Sequence, residues 1–277
     1  RYIIDYDDST FHRYDEHKSK IIRYLLSKKI SLLMANASSV WVGNQYLYDY
    51  ANKYCHNEIK IIPTVVDFDK YSSIEVKKDK QFTIVWIGSQ STVRYLYEVI
   101  EPLKRIFNSI DAKLIVIGAS IDIPNLNIEL IEWSEETEVQ HLKSASVGIM
   151  PLSKDNWDKG KCGFKIIQYM ASGVPVIASP IGVNKKIIQH EINGFLANTS
   201  EEWFDYLLQI YNGVDLKIIS SAKNTVKESY SKKYASKILL NSIDEVLKEN
   251  FDLKVVKDFG HEWGLFQNRS EERRVGK

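Results

Sequence analysis

The chain has 277 residues, 44% of them hydrophobic and 26% charged, close to the globular average, which excludes a disordered or fibrous chain. Lys and Arg number 37 against 36 Asp and Glu, a net charge of +1, so the basic excess of a general nucleic-acid surface is missing and any positive site is local. No apolar run approaches the roughly 20 residues that cross a bilayer. Cys55 and Cys162 are too few for a disulfide framework, and no cysteine–histidine cluster has zinc spacing, so a reducing, cytoplasmic setting is the default expectation.

The chain starts at Arg1, and Tyr2–Tyr6 already reads as a strand in mid-flow without a signal-peptide pattern. A fragment that lacks its first strands and helices is the expectation. A helical stretch over residues 16–31 places Ile21, Ile22, Leu25 and Leu26 on one face. Residues 39–43 read as a strand, Asn44 as the cap of a helix over 46–53, and 60–62 as a third strand stopped by Pro63. Three strands make a thin core. Residues 68–80, ending in Lys77-Lys78-Asp79-Lys80, have the look of a linker.

From Gln81 the rhythm is regular. Strands are predicted at 82–87, 113–117, 128–131, 147–150, 174–178 and 195–196. Helices fall at 94–107, 135–144, 163–172, 185–190, 201–211, 216–228 and 235–248. Short strands apolar on both sides and separated by helices describe a parallel sheet covered on both faces, a doubly wound Rossmann-like α/β domain. Residues 251–277 lose periodicity and end in a charged, core-free stretch, expected to be a disordered or non-native tail.

In an open parallel sheet, ligands bind beyond the carboxyl ends of the strands. Gly88 after the first strand of this domain lets backbone N–H groups approach an anion, Ser89, Ser91 and Thr92 add hydroxyls, and Arg94 could add a fork of donors. A plain tight turn is an equal reading, and neither a G-x-G-x-x-G nor a Walker pattern is present. The stronger feature is residues 160–178, Gly-Lys-Cys-Gly-Phe-Lys-Ile-Ile-Gln-Tyr-Met-Ala-Ser-Gly-Val-Pro-Val-Ile-Ala. At about 100° per residue, Lys161, Lys165 and Gln168 share one side of the helix, with Phe164, Ile167, Met170 and Ala171 on the other. Two ammonium groups beside a helix start suit a diphosphate; a solvated amphipathic helix is the plainer alternative.

The spacing of Gly163-Phe164 to Ala171-Ser172-Gly173-Val174-Pro175, with Gly182 and Gly194-Phe195-Leu196 beyond it, resembles the donor half of family 4 glycosyltransferases, glycosyl transferases group 1. The resemblance implies a GT-B fold, two Rossmann-like domains facing a cleft. Here they would be a partial N-terminal, acceptor-side domain (1–67), a linker (68–80) and a nucleotide-sugar-binding domain (81–250). It implies a retaining transfer from a nucleotide-diphosphate sugar to a polysaccharide or lipid-linked acceptor, without a metal or other cofactor. By this resemblance Gly88, Ser89, Arg94, Lys161 and Lys165 bind the donor diphosphate, Met150 and Gln168 the nucleoside, and Asp7 and Asp8 face the acceptor. The catalytic residue stays unassigned. A lipid-linked acceptor would bring a peripheral membrane association at the inner face of the cell membrane.

Two departures stand out. The family's two glutamates, eight apart, are represented by Gly160 and Gln168, and its Arg…Lys pair by Arg94 alone, for which Lys161 and Lys165 could compensate. These substitutions keep open a binding module that holds a nucleotide without transferring sugar. An oxidoreductase is disfavoured by the missing glycine fingerprint. Asp5, Asp7 and Asp8, with His12 and His17 nearby, allow a catalytic or metal reading, but Asp8-Ser9-Thr10 reads more readily as strand-end turn chemistry; Trp157 reads as an anchor of its loop or a cover over the donor.

Overall fold

A computed structural model describes residues 2–250. Residues up to Ser236 form one compact unit, and the described residues from Lys237 on belong to a second. The expected tail, 251–277, lies outside the described residues.

Two parallel sheets organise the first unit. In the smaller, β1 (Ile3–Tyr6) is followed by three short helices, α1 (His12–Asp15), α2 (Lys20–Leu26) and α3 (Lys29–Asn36). Then come β2 (Ser39–Val42), α4 (Gln45–Ala51) and β3 (Glu58–Ile61), in the order β1-β2-β3. β2 lies between its neighbours and is buried throughout. Asn44 caps α4 by accepting the Leu47 N–H at 3.0 Å. The single helix expected over 16–31 is instead broken. Ser19 is extended ahead of α2, α2 ends at Leu26, and Ile30 and Met34 of α3 supply the apolar contact to the sheet while Ile21, Leu25 and Leu26 stay exposed.

The expected linker begins in a helix, α5 (Phe68–Ser73), capped by the Asp67 carboxylate. One buried aromatic accounts for this: Tyr71 packs into the core of the larger sheet, although the segment carries no apolar period.

The larger sheet starts with β4 (Phe82–Ile87), a 3-10 helix (Val93–Val99) and α6 (Ile100–Ser109), where the sequence suggested one continuous helix. β5 (Ala112–Ile117), β6 (Ile128–Ile131), α7 (Glu138–Ser144) and β7 (Val147–Met150) follow. Next are α8 (Asn156–Lys159), α9 (Phe164–Ala171), β8 (Val176–Ala178), α10 (Asn184–Ile187) and β9 (Phe195–Leu196). Helices α11 (Ser200–Asn212), α12 (Leu216–Ser229) and α13 (Lys232–Asn250) complete the described chain. A capping box of Thr199 and Glu202 starts α11.

The strand order β6-β5-β4-β7-β8-β9 reverses between β4 and β7, the doubly wound arrangement read from the sequence. Side-chain alternation divides its core. Val85, Ile87, Ile115 and Val176 face α7 and α9, whereas Ile84, Trp86, Leu114 and Ile177 face α6 and α11. At the reversal β4 and β7 pair over only two residues, and Tyr169 fills the gap where they diverge. The Ile87 N–H donates to its hydroxyl (3.2 Å), which donates to the Ile149 carbonyl (3.3 Å). A Cβ on Gly148 would lie 2.4 Å from the Tyr169 ring, so only glycine fits opposite it. After α12 the chain returns to the smaller sheet's end: Val66 N–H donates to Tyr230 O, and Lys232 N–H to Val66 O.

Candidate functional site

The reversal between β4 and β7 places the crevice of this sheet beyond Ile87 and Met150. At the β4 end, Gly88 leads into a turn in which the Ser89 hydroxyl meets those of Ser91 (2.9 Å) and Thr92 (3.5 Å). Any Cβ at 88 would meet the Trp86 ring at 2.6 Å, so the glycine lets the indole fold beneath the turn. Arg94 is exposed at the start of the 3-10 helix, its guanidinium 5.2 Å from the Tyr95 ring centroid.

Helix α9 brings Lys165 to this end, while Lys161 lies in the loop before it and so does not share the helix face expected for Lys161, Lys165 and Gln168. Gly163 precedes it with φ +73, a backbone conformation that suits glycine, and no side chain caps its first N–H groups. The Lys165 ammonium lies 5.3 Å from the Trp86 ring centroid. Among the described residues it has no hydrogen bond or ion pair. Burial, reinforced by the Lys161 cation and opposed by Asp8, lowers its pKa to about 8. Lys161 is committed differently: its Nζ lies 2.8 Å from Asp8 Oδ2, and 5.5 Å from the Trp157 ring.

The structure thus brings Lys161, expected on the donor wall, together with Asp8, expected on the acceptor wall. The seam around them is extensive. Ser9 Oγ donates to Trp157 O (3.2 Å), and Asn44 Nδ2 to the carbonyls of Gly160 (2.9 Å) and Lys161 (3.1 Å). Asn156 reaches Glu16 (2.8 Å), and the Arg13 guanidinium sits over Trp157. A Cβ on Gly160 would fall 1.7 Å from Ser9 Oγ. The missing side chain at 160 is therefore what lets the β1 end close onto this loop. Cys162 is buried in the same seam, its thiol pushed up to about 12 by burial and the nearby Asp7. Asp7 itself is exposed.

Two nucleoside candidates lie deeper than the sequence suggested. Met150 is buried in the core, and its carbonyl accepts the Ser179 N–H. Gln168 is 2% exposed. Its Nε2 donates to Tyr71 (2.8 Å), whose hydroxyl donates to Glu138 (2.7 Å), which also accepts from Trp133 Nε1 (2.8 Å). The expected polar face of α9 is covered because α5 and α12 pack on the helix as well as the sheet. Conversely Phe164, expected to face the sheet, is 44% exposed.

Sequence reasoning missed Asp158 and Tyr95. Asp158 is fully buried and accepts from the Tyr95 hydroxyl and from Ser153 N–H (3.0 Å), fixing the loop that carries Trp157. A lone Asp in a charged loop gives no signal of this. Two hollows flank the crevice: one of about 420 Å³ beside Gln90, Gly118, Ser120 and Trp133, the other of about 320 Å³ beside Ser153, Ser179, Thr199 and Trp203. No three metal-ligating side chains come together among the described residues.

The two parallel sheets, the larger reversed between β4 and β7, form an α/β fold that is similar to solved GT-B structures. Residues 81–213 match the family model for glycosyl transferases group 1. A Dictyostelium discoideum protein, GDP-Man:Man(3)GlcNAc(2)-PP-Dol alpha-1,2-mannosyltransferase, is 26% identical over 237 residues, covering 69% of this chain and 44% of its own length. The chain spans less than half of each curated relative it matches. Sucrose-phosphate synthase of Thermosynechococcus elongatus superposes with TM-score 0.68 at 13% identity, over 90% of this chain and 68% of that one. HepE of Anabaena, solved with UDP-glucose, gives 0.67 at 13% identity, over 88% and 72%.

Proposed function

We propose that the chain is the donor-binding part of a retaining glycosyltransferase that moves a sugar from a nucleotide-diphosphate sugar to a polysaccharide or lipid-linked acceptor. The observation that carries this reading is Lys165: among the described residues its ammonium forms no ion pair or hydrogen bond, and it sits over the Trp86 ring near the Gly88 turn at the carboxyl end of the sheet, where a diphosphate would supply an anion. The family match of residues 81–213 and the names of the relatives, which include a GDP-mannose-dependent transferase and a protein solved with UDP-glucose, support it.

In this reading the diphosphate lies between the Gly88–Ser89 turn and the two lysines, with Arg94 at its outer edge. The nucleoside extends into the hollow beside Trp133, whose indole is partly exposed and held by Glu138. The bond between the anomeric carbon and the diphosphate oxygen breaks while the acceptor oxygen bonds to that carbon. The acceptor proton passes to the departing diphosphate. Negative charge grows on the leaving group, so Lys165 and the N–H groups of α9 interact more strongly with the transition state than with the ground state. No metal is assigned a role.

A second reading, a nucleotide-sugar-binding module without transfer, is favoured by Gly160 and by the inward-turned Gln168, which leave two polar positions of the family without a group at the crevice. A thermal-shift panel of UDP- and GDP-sugars, followed by an assay for transfer and hydrolysis, separates the two. Stabilisation with turnover is expected. Stabilisation without turnover on any acceptor supports the binding module, and no stabilisation by any nucleotide sugar overturns both.

A further inference from the structure

In an inference that rests on the donor reading above, we propose that Asp158 and Tyr95 are positioning residues for the diphosphate. Their buried hydrogen bond ties the turn that carries Arg94 to the loop that carries Lys161, and so sets the spacing of the two cationic walls of the crevice. Asp158 is fully buried, so it acts through Lys161 and not on the nucleotide itself. A carboxylate taken out of water is costly unless its oxygens are paired. Both oxygens of Asp158 are paired, and by different elements. Oδ1 accepts the hydroxyl of Tyr95, itself only 4% exposed, from the 3-10 helix after β4. Oδ2 accepts the Ser153 N–H (3.0 Å) and the Ser153 hydroxyl (2.5 Å) from the loop after β7. Strands β4 and β7 flank the reversal, so one carboxylate links the two strand ends between which the crevice opens. Burial and the neighbouring carboxylate push the Tyr95 phenol well above its usual range, which keeps it a donor.

Each end of this link continues to a cation. Arg94 adjoins Tyr95, and its Nη2 donates to the Tyr95 hydroxyl at 3.5 Å. On the other side, the Asp158 carbonyl accepts the Lys161 N–H at 3.1 Å, and the Asp158 N–H donates to the Asp155 carbonyl at 3.1 Å. The turn from Asp155 to Lys161 is thus built on the anchored residue. The Lys161 side chain is held by Asp8 only until an anion competes for it. Its backbone bond to Asp158 does not involve the ammonium, and it remains when Asp8 lets go. Stability alone does not require a carboxylate here, because well-packed apolar atoms of similar volume stabilise as much. A carboxylate with donors from two elements also fixes how those elements stand against each other.

The test is a double-mutant cycle in UDP and GDP affinity, measured by isothermal titration of the 277-residue protein well below its melting temperature. Tyr95→Phe removes one of the three donors to Asp158 and should weaken nucleotide binding about tenfold. In a Lys161→Met background the same change should weaken it less than about twofold, because the group it positions is gone. Asp158→Asn should repeat both results; where it melts too low for titration, Tyr95→Phe decides alone. An equal effect of Tyr95→Phe in the two backgrounds, or a lowered melting temperature with unchanged affinity, makes the pair a structural anchor and overturns the proposal. A parent that binds neither nucleotide overturns the donor reading itself and this proposal with it, so the two failures are told apart by the parent's own titration.

Discussion

The Lys161 ammonium lies 2.8 Å from the Asp8 carboxylate, although 153 positions separate them in the chain. The pair joins the end of β1 to the loop before α9, and among the described residues Lys165, four positions further on, forms no ion pair. A bound diphosphate would compete with Asp8 for Lys161. Asp8→Asn is therefore expected to tighten UDP or GDP binding about three- to tenfold at low salt, and Lys161→Met to weaken it about tenfold. Isothermal titration of both variants checks this; equal affinities would place the diphosphate elsewhere.

Lys165 makes the same binding pH-dependent. Its pKa is about 8 in the folded chain against an ordinary 10.5. Below about pH 8 it is protonated and attracts the diphosphate, and above it the charge is lost. Nucleotide affinity should fall as pH rises from 7 to 9 in the parent but stay nearly flat in Lys165→Met. Stability runs the other way. Between pH 8 and 10.5 the unfolded chain binds more protons than the folded one, so this residue's contribution to stability rises with pH through that window. At pH 7 the folded chain carries the full cost of the buried charge, and Lys165→Met should stabilise by about 1–3 kcal/mol. Denaturant titrations at pH 7 and 10 measure it.

Gly160 is tested through its contact. Gly160→Ala places a methyl group against Ser9 Oγ and the Ser9 backbone N–H, and should destabilise by about 2–4 kcal/mol. Ser9→Gly removes the hydroxyl clash and leaves the backbone one, so the double variant should recover part of the loss. A double-mutant cycle with no coupling would separate Gly160 from Ser9.

Gln168→Glu would put a carboxylate on α9, yet the surroundings of this position oppose it. The new group would sit buried against Tyr71, whose hydroxyl already donates to Glu138. Its pKa would rise, so the folded state would bind more protons than the unfolded one and stability would fall as pH increased above the usual glutamate range. A loss of about 2–4 kcal/mol at pH 7, smaller at pH 5, is expected from thermal melts.

Much of the larger sheet was legible because its strands are short, apolar and separated by helices, a pattern that survives without knowledge of contacts. β4, β6, β7 and β9 fall at the residues read from the sequence. Local signals misled where burial depends on distant partners. Residues 16–31 have helical periodicity, but the side chains that meet the smaller sheet come from Ile30 and Met34 instead. The segment after Asp67 reads as a linker until Tyr71 finds the cavity beside Gln168.

Local sequence alone determined the short apolar strands alternating with helices, the glycine after β4 and the presence of Lys161 and Lys165 around the start of α9, since these are properties of neighbouring residues. Which lysine pairs with a carboxylate, why position 160 has no side chain, and where the Gln168 amide points were decided only by tertiary structure. Each depends on a group from another element, Asp8, Ser9 and Tyr71, brought within a few ångströms by packing that no local pattern encodes.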